Sequence, residues 1–111
     1  MLAILAGALA ACAQPGSGPD ALAANAGLVR IEVNGQAFRH LAYAGAADNE
    51  QGPVWVFIEG DGIPWIDETI PAVDPTPRAF VALAMMGEAP RPALYLGRPC
   101  YLGLAATPPC A

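Results

Sequence analysis

Between Leu28 and Val33 the chain alternates apolar side chains with Arg30 and Glu32, the period of two that a half-buried strand requires. Asn34-Gly35 follows at once. That dipeptide favours the left-handed backbone of a type I′ turn, so a return strand is expected from Gln36 to Tyr43 and the pair reads as an antiparallel hairpin. A small, polar, acidic loop from Ala44 to Gly52 then leads to Val54-Trp55-Val56-Phe57-Ile58, a continuous apolar run that fits a strand buried on both faces. The run stops at Glu59-Gly60-Asp61-Gly62, and Pro64, Pro71, Pro75 and Pro77 argue against regular structure in the loop beyond it. Thr76 as N-cap and Pro77 at the first helical position predict a helix, with Phe80, Leu83 and Ala84 on its apolar face and Gly87 at its end. Ala93-Leu94-Tyr95-Leu96 is a second short apolar strand, closed by a turn at Gly97-Arg98-Pro99-Cys100. Hairpin, strand, helix, strand is the order of an α/β mixed sheet, an antiparallel hairpin followed by a βαβ unit with parallel strands. No helix is predicted to cover the last strand, so the sheet reads as incomplete.

The first residues follow a different pattern. Met1 to Ala11 is an apolar run too short to span a bilayer but of the right length for the hydrophobic region of a signal peptide. It ends in Leu9-Ala10-Ala11-Cys12, which looks like a bacterial lipobox with Cys12 as the lipidated residue; an Ala-rich buried helix ending in Cys is the plain alternative. Residues 12–27, including Gln14-Pro15-Gly16-Ser17-Gly18-Pro19, read as a flexible tether and residues 28–111 as the folded part. The expected location is the bacterial cell envelope or periplasm, with membrane contact only through a lipid on Cys12. In such an oxidising compartment Cys100 and Cys110 read as a short-loop disulfide worth about 2 to 3 kcal/mol, two buried free thiols being the alternative. With 14% charged residues, no Lys and a net charge of −5, the chain lacks the clustered cations that a nucleic-acid surface requires.

The chemistry open to these residues is narrow. A serine hydrolase needs a nucleophile, a base and an orienting acid, and the chain has a single serine, Ser17, and a single histidine, His40. Ser17 lies in the tether without the G-x-S-x-G elbow that would present it, and His40 reads as a sheet histidine rather than a base. Neither His40 with two cysteines nor Glu59 with Asp61 makes up a convincing metal set, although the two carboxylates leave a hard-cation site as the last-ranked reading. Gly60-Asp61-Gly62 is the candidate that survives. Glycines at the carboxyl end of a buried strand expose N–H groups that can form an oxyanion hole, and they equally make a plain turn.

Three stretches taken in order resemble the amino-terminal portion of the α/β-hydrolase fold, and within it a group of bacterial lipoprotein-like α/β hydrolases. They are Val56-Phe57-Ile58-Glu59-Gly60-Asp61-Gly62 with Trp65, then Asp74-Pro75-Thr76-Pro77-Arg78, then Tyr95-Leu96-Gly97-Arg98-Pro99-Cys100. The likeness spans residues 28–110. It implies an incomplete α/β-hydrolase-like sheet in which the hairpin supplies the first two strands, the Trp55 strand the third, the Pro77 helix the first crossover and the Tyr95 strand the fourth. The loop after the third strand carries the oxyanion hole in that family, so backbone N–H groups at Gly60, Asp61 and Gly62 would serve an ester's tetrahedral intermediate. Many members have His-Gly where this chain has Glu59-Gly60. Trp65 would line the acyl or alcohol pocket, or only pack. The nucleophile elbow, acid and histidine follow later strands, which the resemblance places beyond residues 1–111. It thus implies cofactor-free, serine-dependent hydrolysis of a small carboxylic ester or related acyl substrate by a longer relative, and no turnover by this chain alone. The alternative is a non-catalytic envelope lipoprotein, a binding or structural module anchored at Cys12 and stapled by Cys100 and Cys110.

Overall fold

A computed structural model describes residues 18–47 and 52–110. The apolar run Met1 to Ala11, the lipidation candidate Cys12 and Ser17 lie outside the described residues. The architecture is α/β. Strands β1 (Val29–Asn34), β2 (Arg39–Gly45), β3 (Trp55–Phe57) and β4 (Ala93–Leu96) form one mixed sheet in the order β1-β2-β4-β3, accompanied by helices α1 (Pro19–Asn25) and α2 (Val81–Gly87). β2 is antiparallel to both β1 and β4, whereas β3, joined to β4 through α2, runs parallel to it. No helix among the described residues is long and apolar enough to cross a membrane.

Register explains which side of the sheet is covered. Tyr43 stands opposite Tyr95, and Leu41, Tyr43, Ala93 and Tyr95 pack with Ala23 of α1 and with Phe80, Leu83 and Met86 around α2. Both phenols are 1% exposed, with ring centroids 5.9 Å apart. The Tyr43 hydroxyl donates to Asp20 of α1 at 2.5 Å, and the Tyr95 hydroxyl to Glu59 at 3.4 Å.

Several expectations are corrected by tertiary contacts. The hairpin does not turn on Asn34-Gly35: Asn34 pairs with Arg39, Gly35 N–H donates to the Phe38 carbonyl at 2.9 Å, and neither Asn34 nor Gly35 adopts the positive φ of a type I′ turn. A two-residue turn there would set Arg30 opposite Arg39, an unfavourable like-charge pair. The observed register instead sets Arg30 opposite Tyr43, and both bond Asp20, Arg30 at 3.1 Å. Pro19–Asn25, within the stretch read as a tether, forms α1.

Helix α2 starts four residues after Pro77, with Phe80 at its N-cap. Thr76 spends its hydroxyl oxygen on the Leu102 N–H at 2.7 Å, and the acceptor for the first turn of α2 is the Glu59 carboxylate, 3.1 and 3.2 Å from the Ala82 N–H. Leu83 and Met86 form the buried face, while Ala84 is exposed. The apolar run at Trp55 is not buried on both faces: Val54, Val56 and Ile58 are each more than half exposed, because β3 sits at the sheet edge and the helices cover one face only.

Burial and a carboxylate neighbour raise both Tyr43 and Tyr95 well above the ordinary phenol value of 10.0. The folded protein keeps both protons while the unfolded chain loses them. Stability is therefore full below pH 10 and falls as the pH rises beyond it, by about 1.4 kcal/mol per pH unit for each phenol. The tyrosinate absorbance of Tyr43 and Tyr95 is expected to develop only together with unfolding, and its appearance in the folded protein would contradict their burial.

Candidate functional site

Strand β3 delivers Glu59-Gly60-Asp61-Gly62 to the carboxyl edge of the sheet, beside the end of its parallel partner β4. Ligands of open α/β sheets bind at that edge. Glu59 turns inward and is 8% exposed, taken up by the Ala82 N–H and the Tyr95 hydroxyl. Asp61 turns outward: its carboxylate is ion-paired with Arg98, and its backbone carbonyl accepts from the Tyr101 hydroxyl at 2.6 Å. The Arg98 guanidinium also lies 6.0 Å from the centre of the Tyr101 ring.

Gly62 has φ +64, and a Cβ there would press on the Pro75 carbonyl oxygen and stand 3.1 Å from the Pro77 nitrogen. Ile63 N–H donates to that same carbonyl at 2.9 Å. The N–H groups of Gly60, Asp61 and Gly62 donate to no group among the described residues, and all three residues are exposed. The loop therefore offers free N–H groups to an anionic oxygen, the capacity that an oxyanion hole needs.

Charges around the loop are fixed by these bonds. Burial first, then the charge and hydrogen bond of Glu59, keep the Tyr95 phenol protonated well above its usual range. The bond to Asp61 raises Arg98 further above its ordinary value. In the ribbon that follows, Asp67 accepts from the Thr69 N–H and hydroxyl and from the Ile70 N–H, and its carboxyl is held below the usual range. Trp65 pairs with Pro71 in this ribbon and is 53% exposed.

Of the residues singled out by sequence, Gly60, Asp61 and Gly62 are brought together with the other two matching stretches, through Pro75 and Arg98. Cys100 and Cys110 are joined in a disulfide with Cα atoms 5.4 Å apart, which removes the free-thiol alternative. His40 donates from Nδ1 to the Gly97 carbonyl at 2.9 Å and buttresses the turn after β4. Glu59 and Asp61 diverge rather than converge on a cation, and no group of three or more metal-binding side chains forms among the described residues.

Tyr101 holds the Asp61 carbonyl, and Thr76 bonds Leu102 instead of capping α2 as its sequence position predicts. The one sequence signal for Tyr101 is its position directly after the Tyr95-to-Cys100 stretch. A hollow of about 490 Å3 between α1 and α2, lined by Leu22, Asn25, Ala26, Leu83, Ala84, Gly87 and Glu88, lies on the helices and includes no residue of this loop. Comparison with protein-family models, curated proteins and solved structures finds no match for this chain.

Gly62→Ala should cost more than about 2 kcal/mol, since it adds left-handed strain to a collision with the Pro75 carbonyl. Gly60→Ala meets no atom within 4 Å and has no positive φ, so its cost should stay within about 0.5 kcal/mol. Urea unfolding of the two variants measures the difference, and equal costs would contradict the loop geometry.

Proposed function

We propose that this chain is the amino-terminal portion of a serine-dependent α/β hydrolase acting on carboxylic-ester or related acyl substrates, with Gly60-Asp61-Gly62 as its oxyanion loop. The observation that carries the reading is the loop's position and polarity. It leaves the carboxyl end of a parallel strand with its Asp61 carbonyl occupied by Tyr101 and its N–H groups open. The edge of β3, unpaired among the described residues, and the exposed Val54, Val56 and Ile58 support the same reading, since further strands and a second helical layer would pair and cover them. With Ser17 and His40 as the single serine and histidine in residues 1–111, and no G-x-S-x-G elbow around Ser17, the reading takes nucleophile, acid and base from a longer polypeptide.

In a polypeptide that continues past Ala111, the coding sequence should supply G-x-S-x-G, then Asp or Glu, then His. That longer protein should hydrolyse p-nitrophenyl esters and be labelled at serine by a fluorophosphonate, whereas residues 1–111 alone should do neither. Loss of an oxyanion donor costs about 100- to 1,000-fold in kcat, so distortion of the loop by Gly62→Ala in the longer protein is expected to approach that range. A downstream frame without those residues, or label-free protein, would refute the proposal.

The same reading places the protein in the bacterial cell envelope, anchored by diacylglycerol on Cys12. Cells fed labelled palmitate should incorporate it into the wild-type chain and not into Cys12→Ser. Equal labelling of the two would remove the anchor from the proposal.

A further inference from the structure

The turn after β4 reaches both flanks of the glycine loop. Its base is fixed to β2, where Gly97 N–H donates to the Leu41 carbonyl at 2.7 Å and the Gly97 carbonyl accepts from His40 at 2.9 Å. From that base Arg98 and Tyr101 hold Asp61 by its carboxylate and its carbonyl. Leu102 N–H donates to Thr76 at 2.7 Å, and Thr76 adjoins Pro75, whose carbonyl takes the Ile63 N–H. The turn can do this only in an unfavourable backbone, for Cys100 has φ 68 and Leu102 φ 58, values that a side chain disfavours. Cys100 is in turn bonded to Cys110, ten residues along.

We propose that this turn is a disulfide-set clamp on the glycine loop. The Cys100–Cys110 bridge keeps Cys100 and Leu102 in their left-handed conformation, and Arg98 and Tyr101 are positioning residues that hold Gly60-Asp61-Gly62 with its N–H groups open. The order of the loop then depends on redox state. A dithiol reductant cleaves the S–S bond, two electrons and two protons convert Cys100 and Cys110 to thiols, and the dithiol leaves as a disulfide. That this regulates catalysis rests on the oxyanion reading, whereas the clamp does not.

Amide hydrogen exchange on the full chain, with dithiothreitol as the reductant, tests the clamp without turnover. Reduction should speed exchange at the Ile63 and Leu102 amides about tenfold or more while the paired amides of β2 and β4 change less than about twofold. Tyr101→Phe, with the bridge intact, should speed Ile63 about threefold to tenfold, the loss expected for one hydrogen bond. Unchanged exchange at Ile63 in either experiment overturns the proposal. So does an equal acceleration of Ile63 and the sheet on reduction, which would make the bridge a support of the whole domain. Failure of the esterase assay with this exchange pattern intact would count against the oxyanion reading alone.

Discussion

Tyr43 and Tyr95 face each other across β2 and β4 in the middle of the sheet, and neither phenol can be buried there without an acceptor for its hydroxyl. An unsatisfied hydroxyl in such a place costs about 1 to 3 kcal/mol. The two acceptors lie 39 residues apart in the chain, on different elements of the fold. Asp20 in the first turn of α1 takes Tyr43 and also Arg30, so it ties helix, central strand and edge strand at one carboxylate. Glu59, leaving β3, takes Tyr95 and the first turn of α2. A demand created by two side chains in adjacent strands thus determines where both helices sit, and Glu59, held from within, fixes the start of the glycine loop.

The same dependence separates what was legible in the sequence from what was not. The alternation of Val29, Arg30, Ile31, Glu32 and Val33 marks β1, though as an exposed edge strand rather than a half-buried one, and the Ala93-to-Leu96 run marks β4 with its observed bounds, because each pattern is local. The parallel pairing of β3 and β4 followed from the intervening helix. The start of α2 did not, since its acceptor comes from Glu59, 23 residues before Ala82, and no local capping signal reveals such a partner. Helix α1 lies in an Ala-rich segment that reads as a tether, and its helical state is supported by Asp20 meeting Tyr43 and Arg30 and by the burial of Ala23. At the candidate site the glycines were legible as a sharp turn, whereas the contacts that hold them arrive from Thr76, Arg98 and Tyr101, and side-chain partnerships at that range leave no periodic trace.

The two faces of the sheet differ for the same reason. Residues opposite one another across neighbouring strands share a face, so Val29, Ala44, Leu94 and Val56 line up in one row and Ile31, Ala42 and Leu96 in the next. These rows lie on the side away from Tyr43, Tyr95 and the helices. Ala42 is fully buried within the sheet, yet Val29 and Val56, at the ends of a row, are 62% and 55% exposed. An apolar face of this breadth beside an unpaired strand edge is a costly surface to leave in water. The burial expected for Val54 to Ile58 therefore misjudged the setting of the strand, not its apolar character.

At the carboxyl edge, the polarity of the glycine loop follows from how its anchors are distributed. Glu59 secures it through a side chain, and Arg98 through the Asp61 carboxylate, neither drawing on the backbone N–H groups of the loop. The two backbone carbonyls engaged nearby, those of Asp61 and Pro75, are consumed by Tyr101 and Ile63. Among the described residues these tethers use the Asp61 side chain and carbonyl and the Ile63 N–H, and the donors of Gly60, Asp61 and Gly62 are what remains. A plain turn bonds at most its last N–H back to its first carbonyl. Here closure is delegated to residues 97–102, and the positive φ of Gly62 lets the chain turn beneath the Pro75 carbonyl without a side chain in the way. Among the described residues the open donors of Gly60, Asp61 and Gly62 are accordingly left by the packing around the loop, and the anion-stabilising role proposed for the segment depends on those donors rather than on the glycines themselves.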